Sequence, residues 1–305
     1  MSVLRRTLAL SGVLVLAAAG CGSNSLEGGG STTSPSSGPS SAPSSAPAST
    51  DAELAAALPA KIKTAGKIVV GTDATYRPNE FLQGGKTVVG MDVDLFNAVA
   101  RKFGVTVEWQ PATFNTIITG VQGGKYDVGV SSFTINAERK KQVNMVSYFS
   151  AGTLWATAKG NPKGVKADQA CGKTVSVQTG TTQQLDDLPI RQKKCKDAGQ
   201  PPIKELPRDK QDQATADLVS GKSDAMLADS PVVLDAIKQT NGQLEQLGDI
   251  YDAAPYGYVI PKANTQFAQA VTKALQELNA DGTYKSILQK WNNDSGAITD
   301  YAVNP

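Results

Sequence analysis

The 305-residue chain contains no histidine, so any chemistry falls to carboxylates, hydroxyls, arginine and aromatic faces. The missing imidazole excludes a Ser/His/Asp triad, a Cys/His pair and an H-E-x-x-H zinc site. The polar residues that remain stand at telling places. Asp73 and Tyr76 follow Gly66-Lys-Ile-Val-Val-Gly-Thr72, and Thr181 and Thr182 follow Gly172-Lys-Thr-Val-Ser-Val-Gln178. Ser131 and Ser132 end Gly124-Lys-Tyr-Asp-Val-Gly-Val-Ser-Ser132, and Asp229 ends Gly221-Lys-Ser-Asp-Ala-Met-Leu-Ala-Asp229. Gly180-Thr181-Thr182 precedes a helical run, and a helix N-terminus with hydroxyls and free N–H groups suits a carboxylate. Arg139, a few residues after Ser131-Ser132-Phe133-Thr134, offers a fork that matches a carboxylate bidentately. Asp229 suits an ammonium. Together these groups have the chemistry of a site for a zwitterion. The alternative for Arg139 is a solvated helix face, the expectation for Lys140 and Lys141.

The elements that must hold these residues alternate. Lys67–Val70 reads as a strand, Val93–Phe103 as a helix, Val105–Trp109 as a strand and Phe114–Val121 as a helix. That order predicts an α/β fold with a mostly parallel sheet covered on both faces. Asp92 is placed to cap a helix whose Leu95, Val99 and Phe103 share one face, with Gly104 as its left-handed stop. Thr113 is placed to cap the next helix, which ends at Gly123-Gly124. The two Gly-Lys patterns each occur twice, roughly 100 residues apart, which suggests two similar lobes; chance recurrence of short patterns is the weaker account. Open α/β sheets bind ligands beyond the carboxyl ends of their strands, so two facing lobes would aim all these residues into one cleft.

The N-terminal flank differs in kind. Arg5 and Arg6 precede an apolar run, Leu8–Ala19, too short for a mature spanning helix. Leu16-Ala-Ala-Ala-Gly-Cys21 resembles a bacterial lipobox, in which Cys21 is lipidated. Loss of residues 1–20 removes two of the 30 basic residues and leaves 28 of each sign, so no basic face for nucleic acid is expected. From Gly22 to Thr50, 26 of 29 residues are Ser, Gly, Pro, Ala or Thr, the composition of a disordered tether. The remaining cysteines, Cys171 and Cys195, form an even pair for an oxidising compartment, and a disulfide is expected over two free thiols. Two cysteines without histidine make a poor metal set.

From Lys67 to about Asn292 the chain resembles the family 3 extracytoplasmic solute-binding proteins of ABC amino-acid importers. The resemblance rests on Gly71-Thr-Asp-Ala-Thr-Tyr76, Gly90-Met-Asp-Val-Asp-Leu95, Phe114-Asn-Thr-Ile-Ile118, Gly124-Lys-Tyr-Asp127, Ser131-Ser-Phe-Thr-Ile-Asn-Ala-Glu-Arg139, Gln178-Thr-Gly-Thr-Thr182 and Asn279-Ala-Asp-Gly-Thr-Tyr284, in the family's order. It implies a two-lobed periplasmic-binding-protein-like fold of type II, with each lobe a mixed, mostly parallel sheet and the ligand cleft between lobes. Lobe 1 would take residues 52–154 and 259–305, and lobe 2 residues 155–258, after a signal peptide (1–20) and a tether (21–51). Hinge strands would cross near Thr153–Ala158 and Tyr256–Ile260. Arg139 would grip the ligand carboxylate with help from Thr134 and Thr182, while Asp229 and Ser132 take the ammonium. Tyr76 and Phe114 would sandwich the ligand, with Asp73 facing its side chain. Asn79 and Asn115 depart from the family pattern and leave the side-chain pocket open. Asp73 suits a cationic or amide side chain, whereas Arg77 would favour an acidic one or face water.

The resemblance implies a non-enzymatic, monomeric lipoprotein on the outer face of the cell membrane that delivers a polar amino acid to a permease. No cofactor is expected. An enzyme on the same fold would need a carboxylate or lysine of perturbed pKa, with Asp73 and Asp229 the candidates by location. A ligand sensor would use the same site with a different partner.

Overall fold

The computed structural model describes residues 51–305; the expected signal peptide, Cys21 and the tether up to Thr50 lie outside the described residues. Two short helices, α1 (Ala52–Ala56) and α2 (Ala60–Ala65), lead into β1 (Lys67–Thr72). A small antiparallel sheet follows, made of β2 (Thr75–Tyr76), β3 (Glu80–Gln83) and β4 (Thr87–Val89). Next come α3 (Met91–Lys102), β5 (Thr106–Pro111), α4 (Phe114–Gln122), β6 (Val128–Gly129), α5 (Ala137–Gln142) and the long β7 (Asn144–Ala158). The remainder alternates again: β8 (Thr174–Gln178), α6 (Leu188–Asp197), β9 (Lys204–Arg208), α7 (Gln211–Val219), β10 (Ala225–Asp229) and α8 (Ser230–Gln239). A second long strand, β11 (Leu244–Ile260), and helices α9 (Thr265–Ala280) and α10 (Thr283–Lys290) complete it.

The main sheet runs β5-β1-β6-β11-β7-β10-β8-β9. Its two ends are parallel triads: β1 pairs with β5 and β6, and β8 pairs with β9 and β10. Between them lie β7 and β11, antiparallel to each other and to their flanking strands. The mixed α/β arrangement therefore matches the expected fold class. Thr153–Ala158 and Tyr256–Ile260 both fall on these long strands. Thr153–Thr157 pairs with β10, whereas Tyr256–Ile260 pairs back with Asn144–Phe149. Register shifts lie between Leu247 and Tyr251 and between Tyr251 and Ala254, with a third at Tyr256/Gly257.

Strand alternation sends successive side chains to opposite faces. Met226 and Ala228 of β10 pack with Leu218 and Val233, while Leu227 between them packs with Val175, Leu188 and Ile203. At the other end Val128 and Val130 pack with Phe96, Phe103 and Phe267, while the opposite face holds Phe114, Ile117, Tyr126 and Val259. Helices thus cover both faces of each triad.

The two sequence echoes have matching structures. Gly66, Gly124, Gly172 and Gly221 all have φ between 64° and 76°, the left-handed region that favours glycine. In each echo the aspartate ties its strand to the first strand of the triad. Asp127 accepts from the Val69 N–H at 2.9 Å while its own N–H donates to Val69 O. Asp224 does the same with Thr174. The same two-bond wiring recurs in both copies, with the partner residue one position earlier in the second, which favours repetition over chance.

One expectation needs correction. Asp92 does not cap α3: the N-cap is Gly90, and the orphan N–H groups of Met91 and Asp92 donate to the carbonyls of Pro78 and Asn79. A Cβ on Gly90 would lie 2.0 Å from Asn79 O, so only glycine permits this close backbone cap. Asp92 is left as the second residue of the helix, in its first turn, and fully buried. The Leu95, Val99 and Phe103 stripe and the left-handed Gly104 stand as expected. Thr113 occupies the N-cap of α4 without a side-chain cap bond. Cys171 and Cys195 are disulfide-bonded with a Cα separation of 5.5 Å, pinning α6 to the segment before β8. Closing a 24-residue loop is worth about 3 kcal/mol on chain entropy.

Candidate functional site

The carboxyl ends of β1, β6, β8 and β10 converge, as the open-sheet rule requires. Eight of the ten expected ligand residues line one cavity: Tyr76, Phe114, Ser132, Thr134, Arg139, Thr181, Thr182 and Asp229. The other two stand just behind its wall. Ser131 Oγ accepts from the Asp73 N–H at 3.0 Å, and the Asp73 carboxylate is bridged to Gln178 of the cavity lining at 2.5 Å.

Arg139 sits on α5, where Asn136 caps the helix by accepting from the Arg139 N–H at 2.9 Å. Its guanidinium donates from Nη1 to Thr134 O (2.8 Å) and from Nη2 to Gly180 O (3.1 Å). It lies 5.5 and 5.4 Å from the ring centres of Phe114 and Phe133, which stack at 4.5 Å. Burial lowers its pKa to about 10, opposed by the charge of Asp229. Arg139 is buried, so the solvated-face alternative does not describe it.

Asp229 ends β10 and accepts from the hydroxyls of Tyr76 (2.8 Å) and Tyr256 (2.7 Å) and from Gln183 Nε2 (2.7 Å). Burial raises its pKa, and these donors pull it back. Among the described residues no cation pairs with it within ion-pair distance, nor any carboxylate with Arg139. The cavity therefore carries a buried cation and a buried anion that feel each other's charge but make no direct ion pair. Asp73 is a second buried carboxylate, held by Thr75 Oγ1 at 2.7 Å and by Gln178. Burial pushes its pKa up to about 6.

The threonine turn is built differently from the simple helix N-terminus expected. Gly180 is left-handed at φ 84°, and the helix opens with a π-type turn, Gln183–Asp187, before α6. Thr181 Oγ1 donates to Gln178 O, which ties the turn to the end of β8. Sequence reasoning missed Gln178, Gln183 and Tyr256. Gln178 ends the second copy of the Gly-Lys strand and Gln183 directly follows the Gly-Thr-Thr turn, so both carried a positional signal. Tyr256 carried none.

Arg77 does not face the ligand cavity. It pairs with Asp235 on α8 at 3.3 Å, with its guanidinium 3.8 Å from the ring centre of Phe81. This pair ties the small sheet to the second triad, but Arg77 is half-exposed, and such pairs contribute about 1 kcal/mol or less. Arg77→Ala is expected to shift ligand affinity by no more than about fivefold and to leave the order of preferred ligands unchanged. Competition binding on the variant checks this; a switch toward acidic ligands in the native protein would place Arg77 in the pocket instead.

Comparison with known proteins agrees with this geometry. Residues 68–294 match the model for bacterial extracellular solute-binding proteins, family 3. The arginine-binding protein ArgT of Corynebacterium glutamicum is 32% identical over 247 residues, 81% of each chain. The structure of an ancestral arginine-binding protein bound to arginine superposes with a TM-score of 0.68 at 38% identity, covering 74% of this chain and 98% of that one. A second structure of an ancestral arginine-binding protein, bound to glutamine, gives 0.68 at 37%, covering 75% and 98%. These relatives are binding proteins rather than enzymes, as expected. With a mixed two-triad sheet, a cavity lined by opposite charges that make no direct ion pair and a family match spanning nearly all the described fold, the chain belongs to the family 3 bacterial extracellular solute-binding proteins.

Proposed function

We propose that this protein binds a free polar amino acid outside the cell, preferring a cationic side chain, and delivers it to the permease of an ABC importer. The observation that carries this reading is the pair of buried, mutually unpaired charges Arg139 and Asp229 on the walls of one cavity. Buried charges are costly unless paired, and a zwitterion pairs both at once. Arg139 with Thr134 and Thr182 takes the α-carboxylate, and Asp229 with Ser132 takes the α-ammonium. Tyr76 and Phe114 flank the side chain, and Asp73 meets its end. The arginine-binding relatives support a cationic preference.

The two triads with their helices act as lobes, residues 52–154 with 259–305 and residues 155–258, closing by hinge motion over the long strands β7 and β11. Contacts between the triads, such as Gln178 with Asp73 and Tyr76 with Asp229, fit a closed form. The chain is exported by residues 1–20, lipidated at Cys21 and held to the membrane by the tether, as a monomer; the lipobox-like Leu16–Cys21 and the Ser/Pro/Gly composition support this.

Titration calorimetry with the common amino acids, ornithine and decarboxylated arginine tests the reading. One or more polar amino acids are expected to bind at one per chain, and decarboxylated arginine is expected to fail. Equal binding of the decarboxylated analogue, or no amino acid binding at all, would sink the zwitterion model.

A further inference from the structure

Behind the serine turn lies a cluster that the amino-acid grip does not use. Glu80 on β3 and Asp92 on α3 are fully buried, and among the described residues no lysine or arginine lies within ion-pair distance of either. Ser132 donates its N–H to Asp92 Oδ2 at 3.2 Å, and its Oγ lies 3.2 Å from both Asp92 Oδ2 and Glu80 Oε2. Ser131 Oγ lies 3.3 Å from Glu80 Oε1, the Tyr148 hydroxyl donates to Asp92 Oδ2, and Asn79 Nδ2 donates to Ser132 Oγ. Ser132 has φ 50°, a left-handed conformation that a residue with a Cβ adopts only when its surroundings impose it.

Asp92 Oδ1 is buried with no N–H or O–H donor among the described residues. The Glu80 carboxyl is its neighbour, sharing Ser132 Oγ with Asp92 at 3.2 Å on each side, and a carboxyl can donate only when protonated. We propose that Glu80 is held protonated and donates to Asp92 Oδ1, and that this acid–carboxylate pair is the positioning element that fixes the Ser131–Ser132 turn on the ligand cavity. Two adjacent buried carboxylates cannot both ionise. The groups facing the pair are Asp73 beyond β1, Tyr76 on β2, Tyr148 on β7 and Tyr258 on β11. All are acids, so none offsets a second negative charge. Burial and the Asp92 charge push Glu80 well above the usual carboxyl range, while Asp92 rises only to about 6 because Tyr148 and Ser132 donate to it.

The effect on binding rests on the amino-acid reading; the protonation of Glu80 does not. Isotope-edited infrared spectra of the ligand-free protein at neutral pH are expected to show a protonated carboxyl band that disappears in Glu80→Gln. The glutamine amide can donate to Asp92 Oδ1 and still accept from the serines, so this variant keeps native ligand affinity and melts no lower than the native protein at neutral pH. Glu80→Ala leaves buried groups of the turn unpartnered and weakens binding about tenfold or more. A raised acid stabilises the fold below the ordinary carboxyl range, and that share is lost as pH rises through its raised value; Glu80→Gln removes this decline. Absence of the acid band in the native protein, or equal loss of affinity in the Gln and Ala variants, overturns the proposal. If the native chain binds no amino acid, the functional reading fails, and the infrared band together with the melting temperatures still decides the state of the pair.

Discussion

Arg139→Met is expected to lose amino-acid binding while the ligand-free protein melts no lower than the native one. Truncating one partner of a buried, hydrogen-bonded charge pair costs about 2–5 kcal/mol, which corresponds to roughly 30- to 5000-fold in affinity. The stability side follows from the same burial. In the structure the guanidinium has two carbonyl partners and two aromatic faces but no carboxylate within ion-pair distance among the described residues. Its pKa is depressed to about 10, with desolvation the largest cause, so the charged form is a burden on the native state throughout the neutral range. Methionine keeps much of the buried stem and removes that burden, leaving the carbonyls of Thr134 and Gly180 as the price. Arg139→Lys keeps the charge without the planar fork and falls between the two. Calorimetric titration and scanning calorimetry read both quantities. Near-native affinity in Arg139→Met would mean that another group holds the carboxylate.

Much of this site was legible because its signals are local. A left-handed glycine, a short apolar strand and a polar residue at its end need only a dozen residues of context, and four such units place Asp73, Ser131, Ser132, Thr181 and Asp229. Asp92 shows where local reasoning stops. An aspartate before an amphipathic helix is a sound cap signal, yet the carbonyls of Pro78 and Asn79, brought in by the small sheet, reach the helix end first. Tyr256 was invisible for a related reason. It reaches Asp229 from β11 through antiparallel pairing with β7, whose residues lie about 100 positions away in the chain and whose register shifts next to Tyr256. The disulfide was readable from cysteine count and compartment. The unpaired charges were not, because burial is a property of the assembled fold.

The balance between arginine and glutamine should depend on pH, with arginine losing ground as pH falls through about 6. Burial raises Asp73 to that value, against the donors Thr75 and Gln178. A cationic side chain needs Asp73 ionised, so below that value each pH unit costs arginine up to about tenfold in affinity through the proton that must be displaced. A neutral amide can donate to the ionised carboxylate or accept from the protonated one, so glutamine lacks this requirement. Asp229 is also raised by burial, but it meets the ammonium common to both ligands and cancels in their ratio. The ratio of the two affinities therefore isolates Asp73. Asp73→Asn should weaken arginine by roughly 30- to 5000-fold, the cost of leaving a buried charge unpaired, while glutamine stays near native and the ratio becomes flat with pH. The ligand-free fold responds in the opposite sense. The stability that Asp73 contributes is fully present below the ordinary carboxyl range and is lost as pH rises through about 6. Melting curves of the ligand-free chain and competition titrations between pH 5 and 8 should thus move in opposite directions, and a native ratio that stays constant across that window would remove Asp73 from the side-chain pocket.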